Sequence, residues 1–254
     1  RLDGVTGVQT CALPIFMVGA LRPRAGEVLY SGTPLGALRA EALAAQVALT
    51  GREERPVEVF LVEELLELGV RAACLGDTMP LDRVAVDRRV QAALRLSRAE
   101  ALHGRSMEEL SAGERQRVHL ARALAQQARV LLMDEATAHL DLSHREGLLS
   151  QVRALVQGAV SEPDTPSHPR AAVAVLHELE LAARVCTHLA VLHAGRLVAA
   201  GPSHAVLTPA LLAEVFAVDA LWLEGPRGRH LVVNGPLEPS SSPRSLSYLA
   251  RKPA

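Results

Sequence analysis

The spacing of apolar positions changes near Leu110, and the change predicts two kinds of structure. Ahead of it the pattern is mostly helical. Residues 38–45, 58–68 and 84–96 repeat apolar side chains every three or four positions, which lines one helix face. "GDTMP", residues 76–80, breaks that run. Two short strands are expected there, one between the glycines of "GEVLYSG" at 26–32 and one at 46–49. Beyond Leu110 strands and helices alternate. "ARVLLM", residues 128–133, is a continuous apolar run of the kind that suits a strand buried on both faces. A helix is expected over 144–157, a polar loop at "SEPDTPSHPR" (161–170), a second buried strand at "AAVAVL" (171–176) and a helix over 178–185. "HLAVLHAGRLVAAG", residues 188–201, reads as a hairpin turning at Ala194-Gly195. A helix over 209–218 and a pair of strands within 221–233 complete the pattern. From Asn234 the chain is rich in Pro and Ser, and a disordered tail is expected over 234–254. Strand–helix–strand alternation predicts an α/β protein with a parallel core, carrying a helical subdomain at about 57–127.

Composition narrows the function classes. The 254 residues suffice for a substantial core. Aromatic residues make up 2%, so Leu, Val and Ala must fill that core. The net charge of -1 gives no global basic excess, and no nucleic acid partner is implied. Cys11, Cys74 and Cys186 show neither metal nor disulfide spacing and read as reduced thiols. No apolar run is long enough to span a bilayer, so a membrane role has to pass through a partner.

Chemistry is concentrated in four stretches. "LSAGERQRVHLARAL", residues 110–124, carries Ser111 and Glu114 at the spacing of a helix capping box. A helix start also offers free N–H groups and a positive dipole end to a phosphate. There Ser111 adds a donor, and Gly113 has no side chain to block close approach. "VLLMDEAT", residues 130–137, ends an apolar strand in two acids. Ligands of open α/β sheets sit at the carboxyl ends of strands. Asp134 can hold Mg²⁺ there, and Glu135 can polarise a water; the plainer reading is an exposed acidic turn. In "AHLDLSHRE", residues 138–146, Asp141 can make a polar contact across a subunit interface or cap the following helix. In "VAVLHELELAARV", residues 173–185, His177 follows the second buried strand, where it can be structural or can contact a phosphate.

Order and spacing together resemble the ATP-binding cassette (ABC) ATPases, from about Phe16 to Val233. "LSAGE" stands at the family's signature loop, with Ala112 in place of the usual second glycine. "VLLMDE" stands at its Walker B strand and catalytic glutamate, "AHLD" at its D-loop, and His177 at its switch histidine. The resemblance implies a P-loop-NTPase-like fold and two subunits joined head to tail around two ATP molecules. Asp134 would serve Mg²⁺, Glu135 the attacking water and His177 the γ-phosphate. Ser111, Ala112, Gly113, Glu114 and Asp141 would contact ATP from across the dimer. Transmembrane permease subunits would be the partners, placing the chain peripherally on the cytoplasmic face of the membrane. "DEATAHLDLSHRE", "VLHELELAARVCTHLAVLHAGRLVAAGP" and "VLTPALLAEVFAVDA" are similar to importer ATPases for iron–siderophore, haem or cobalamin.

Two departures qualify that expectation. A P-loop, G-x-x-x-x-G-K-[ST], wraps phosphates with backbone N–H groups and neutralises them with lysine. It is missing, and Lys252 is the sole lysine. The motif belongs near residues 4–11, ahead of "MVGALRPRAGEV". There "VTGVQTCALPI", residues 5–15, agrees codon by codon with an in-frame translation of a common sequencing adapter. Residues 1–15 are therefore expected to be foreign to the protein and poorly packed, with the ATPase domain over 16–233. The family also places a glutamine after the strand at 46–49. Gly51-Arg52 stands there instead, Gln46 comes too early, and that Mg²⁺ contact would be lost. The expected protein is an importer ATPase whose chain as written hydrolyses little ATP. A non-catalytic subunit lending its signature helix to an active partner is the alternative. A soluble ABC protein of DNA repair or translation fits poorly without coiled-coil insertions or tandem cassettes.

Overall fold

The computed structural model describes residues 13–51, 60–74, 82–137, 140–158, 171–226 and 228–237. The chain divides into two compact units between Leu176 and His177.

The unit ending at Leu176 is built on three parallel strands, β3 (Val47–Gly51), β4 (Val130–Asp134) and β5 (Ala171–Val175), with β4 in the middle. Leu131, Leu132 and Met133 are consecutive and all buried, so both faces of β4 are covered, as its continuous apolar run predicts. Gly51, Asp134 and Val175 stand in register at the carboxyl end. Ahead of the sheet lie α1 (Leu13–Met17), a short hairpin of β1 (Leu29–Tyr30) and β2 (Thr33–Pro34), and α2 (Ala40–Gln46), which runs directly into β3. Tyr30, Val47 and Leu132 share a core with Met17, Val28 and Leu43, and the Tyr30 hydroxyl donates to the Met17 carbonyl at 2.7 Å.

Helices α3 (Val62–Ala73), α4 (Arg83–Ser97) and α5 (Ala112–Ala125) form the helical region. Asp82 caps α4 by accepting the Ala85 N–H at 2.6 Å. Helix α5 packs on both α3 and α4 and also reaches β3. Its approach to α3 is close: a Cβ at Gly69 would meet the Arg122 carbonyl. Helix α6 (Leu142–Val156) follows β4 and packs against β5.

The unit opening at His177 contains α7 (Leu179–Val185), the hairpin β6 (His188–His193) and β7 (Arg196–Pro202), α8 (Ser203–Val206), α9 (Pro209–Phe216), and the hairpin β8 (Val218–Gly225) and β9 (Gly228–Pro236). Ala194 and Gly195 both have positive φ, as a two-residue hairpin turn requires. Leu207, Leu212, Ala220 and Leu231 form its core, against which the half-buried Trp222 packs, its indole N–H donating to the Leu207 carbonyl at 2.8 Å.

Three details differ from the sequence reading. The single strand expected at 26–32 is a hairpin, because Ser31 and Gly32 both take positive φ and reverse the chain. Strand β9 continues through Pro236, so residues 234–236 pair with β8 rather than beginning a tail. Leu13–Met17 is helical, with Pro14 buried, Ile15 half-buried and Leu13 exposed. Residues 1–12 and 238–254, on which the foreign segment and tail were expected, lie outside the described residues.

Candidate functional site

Helix α5 begins with the reciprocal capping that S-x-x-E predicts. The Ser111 oxygen accepts the Glu114 N–H at 3.3 Å, and Glu114 Oε2 accepts the Ser111 N–H at 2.8 Å. The Ser111 hydroxyl also donates to Glu114 Oε2 at 2.7 Å. These contacts hold the Glu114 carboxyl below its ordinary value of 4.5: the Ser111 hydroxyl contributes most, then the Ser111 amide, with the charges of Arg105 and Arg117 adding to them. Ser111 and Ala112 are exposed, Gly113 and Glu114 half-buried. The first N–H groups of a helix have no acceptor within it. With the Ser111 hydroxyl and the Ser111 and Glu114 amides engaged in the cap, the Ala112 and Gly113 amides stand at the positive end of a helix dipole, which suits an anion.

The second cluster is the carboxyl end of β4. Asp134 and Glu135 are half-buried, and the strand stops between them. Glu135 has φ 51°, a left-handed conformation that costs on the order of 1–3 kcal/mol for a non-glycine residue. Gly51 on β3 faces Asp134 in register, and a Cβ there would meet the Asp134 carbonyl. A side chain at Gly51 would thus collide with that backbone in this pairing of β3 with β4. Arg52 lies outside the described residues.

Asp141 is the N-cap of α6, accepting the His144 N–H at 3.0 Å and lying 2.7 Å from His144 Nδ1. The turn before it approaches α5: a Cβ built on Gly113 would come within 3.5 Å of the buried Leu140 side chain. The structure thereby brings Ser111, Ala112, Gly113 and Glu114 to the neighbourhood of Asp141. Asp134 and Glu135 are adjacent by sequence at one strand end. His177 is exposed and opens the other unit.

The donor set can be tested against the ligands the sequence implies. Mg²⁺ takes one or two carboxylates and fills its shell with water and phosphate oxygens. Asp134, a half-buried carboxylate at the sheet's carboxyl end, fits that part. Among the described residues no group of three His, Cys, Asp or Glu forms a fuller metal cage. The α5 start fits a phosphate. For the β- and γ-phosphates of a nucleotide held in cis, the sequence contains neither G-x-x-x-x-G-K-[ST] nor a second lysine.

Two residues escaped the sequence reading. Arg105 touches Glu114, and its only sequence signal is a basic residue ahead of an acidic helix start. Arg115 donates to the Leu110 carbonyl at 2.6 Å and fixes the residue before Ser111.

An α/β sheet with an acid pair at its carboxyl end and a capped helix start is an arrangement that can receive an anion. A family model described as ABC transporter matches residues 12–138. The hemin import ATP-binding protein HmuV of Pseudomonas entomophila is 36% identical over 236 residues, covering 91% of this chain and 86% of that protein. The cobalamin import ATP-binding protein BtuD of Halobacterium salinarum is 37% identical over 213 residues, covering 84% of this chain and 50% of that one. The chain thus spans about half the length of the cobalamin relatives it matches. Among solved structures, an inward-facing ABC transporter described as metal-chelate type aligns with TM-score 0.71 at 19% identity, covering 92% of this chain and 85% of its own. CbiO1 of Clostridium perfringens, part of the ABC transporter complex CbiONQ, aligns with TM-score 0.61 at 22% identity over 81% of this chain and 74% of its own. At these identities the structures speak for the fold. The chain belongs to the ABC transporter family.

Proposed function

We propose that this chain is the ATP-binding subunit of an ABC importer, and that the start of α5 is its contact with nucleotide. The observation that carries the reading is the capped, exposed start of α5 beside the turn that leads to Asp141. Ser111, Ala112, Gly113 and Glu114 would lie against an ATP held by the P-loop of a partner ATPase subunit, with Asp141 at the same interface. Asp134 would hold Mg²⁺, which supplies charge neutralisation to phosphate oxygens. Glu135 would orient water, and His177 would face the γ-phosphate. The chain as written lacks a phosphate cradle, so hydrolysis at its own Glu135 is expected to be negligible. Permease subunits would tie it to the membrane, on the cytoplasmic side. Among the described residues, no helix is long and apolar enough to cross a membrane. The names of the hemin and cobalamin relatives favour iron–siderophore, haem or cobalamin as the cargo class.

The test is turnover measured alone and in mixture. The chain alone is expected to hydrolyse almost no ATP. Mixed with a HmuV-type ATPase whose P-loop is intact and whose own signature serine is disabled, it should restore turnover. Normal hydrolysis by the chain alone, abolished in Glu135→Gln, would refute the inactive-cradle reading. No restored turnover in the mixture would refute the α5 contact.

A further inference from the structure

The bonds at the start of α5 continue beyond the helix. Glu114 Oε2 is taken up by Ser111, and its other oxygen accepts Arg105 Nη1 at 3.3 Å. Arg105 Nη2 donates to the Glu109 carbonyl at 2.9 Å, and its Nε lies 3.7 Å from the Glu109 carboxylate. The backbone around Arg105 is fastened elsewhere. Its carbonyl accepts the Val62 N–H at 3.0 Å, the Gly104 N–H donates to Glu63 at 2.9 Å, and Met107 N–H donates to the Phe60 carbonyl at 3.1 Å. Leu61 and Ser106 form an antiparallel bridge. One residue is thus anchored by its main chain to the start of α3 and by its side chain to the start of α5.

Two features of Glu114 make that anchor matter. A serine hydroxyl has one proton to donate, and Glu114 holds it. A phosphate arriving at α5 must replace the carboxylate as the acceptor of that hydrogen bond. Glu114 also brings a negative charge to the place where the phosphate docks, and like charges at close range repel. A guanidinium on the far carboxylate oxygen addresses both. It keeps Glu114 partnered when Ser111 turns away, and it offsets the charge.

We propose that Arg105 is the positioning residue of this site, holding Glu114 so that the Ser111 hydroxyl can pass from that carboxylate to the phosphate of a nucleotide carried by a partner subunit. This rests on the reading of α5 given above. Arg105 touches no nucleotide itself. Its backbone ties also make it the link through which the start of α3 is joined to Ser111.

The experiment uses the full chain as Arg105→Met, Arg105→Lys and the double variant Arg105→Met/Glu114→Gln, with thermal unfolding to show that each folds. On the chain alone, NMR follows the Glu114 carboxyl titration and the hydrogen exchange of the Ser111 amide. Arg117 also acts on the Glu114 carboxyl, and Glu109 shares Arg105 with it; neither is altered. In the mixture with the signature-disabled partner, turnover is followed against ATP concentration. Arg105→Met is expected to raise the Glu114 midpoint, to speed Ser111 exchange several-fold, and to raise KM for ATP at least tenfold with a smaller change in kcat. Arg105→Lys should retain part of each property. The double variant should regain most of the lost affinity, because no carboxylate is left to neutralise. An unchanged Glu114 midpoint and Ser111 exchange in Arg105→Met would overturn the proposal, as would a double variant no better than the single. If the wild-type chain restores no turnover, the α5 reading fails by itself, and the NMR arm still decides whether Arg105 holds Glu114.

Discussion

The two ends of helix α5 are held by opposite means. At its start, Ser111 and Glu114 bond each other across three residues, at or near the surface. At its far end Arg122 donates to the Leu49 carbonyl at 3.2 Å, and Gln126 donates to the carbonyls of Ala44 and Val47 at 2.7 and 2.8 Å. Those partners are 73 to 82 residues away in the chain. Leu120, Ala121, Ala123, Leu124 and Ala125 are buried there. One helix is therefore anchored to the sheet at one end and free to offer donors at the other. A rigid base with an exposed tip is what a ligand contact needs, since the donors are placed before the ligand arrives.

The comparison predicts a graded series of losses. The largest belongs to the anchored end. Leu120→Ala removes a side chain that is 1% exposed and should cost about 2–5 kcal/mol of stability by urea unfolding. A cost below the range of ordinary surface substitutions would mean that this end is not the anchor. Gly51→Gln comes next. It should not create a metal ligand, because its Cβ displaces the Asp134 backbone; a loss of about 1–3 kcal/mol is expected. A stable variant with tighter Mn²⁺ binding would contradict this. Gln126→Ala strips the carbonyls of Ala44 in α2 and Val47 in β3 of a donor and should cost about 1–3 kcal/mol, with faster amide exchange at Val47.

The start of the helix should behave differently. Ser111→Ala is expected to cost only about 1 kcal/mol of stability while removing most of the turnover gained in the mixture. A large stability loss with turnover retained would reverse the roles assigned to the two ends. The smallest effect is one of pH. The folded Glu114 carboxyl titrates below 4.5, so the capping bonds contribute above the unfolded value and are lost as pH falls through the depressed folded one. Ser111 amide protection should hold at neutral pH and fade in that acid window. Glu114→Gln should flatten the profile.

Legibility in the sequence follows the same division. The cap on α5 was readable because S-x-x-E acts within one helical turn. The buried strand β4 was readable from its unbroken apolar run, and the β6–β7 turn from Ala194-Gly195. The hairpin at Ser31-Gly32 was missed because a short run with one polar break also suits a single strand. Arg105 was missed because its partner Glu114 is nine residues on, beyond any helical period. The glutamine absent at Gly51 was visible as a departure from the family pattern. That a side chain there would meet Asp134 was not visible, since this depends on which strand stands beside it.

Taken alone, the sequence determined the elements whose physics is local: helix faces, one capping box, tight turns and the apolar strands of a parallel core. It also determined which chemistry-bearing residues are present and that no G-x-x-x-x-G-K-[ST] is written among them. Tertiary structure decided the rest. It set the register that puts Gly51 against Asp134, the closeness of Gly69 to Arg122, the reach of Gln126 to β3 and the grip of Arg105 on Glu114. The physical reason is one of range. Periodicity says which side of an element turns inward, but a backbone carbonyl or a carboxylate many residues away becomes a partner only when packing brings it within bonding distance.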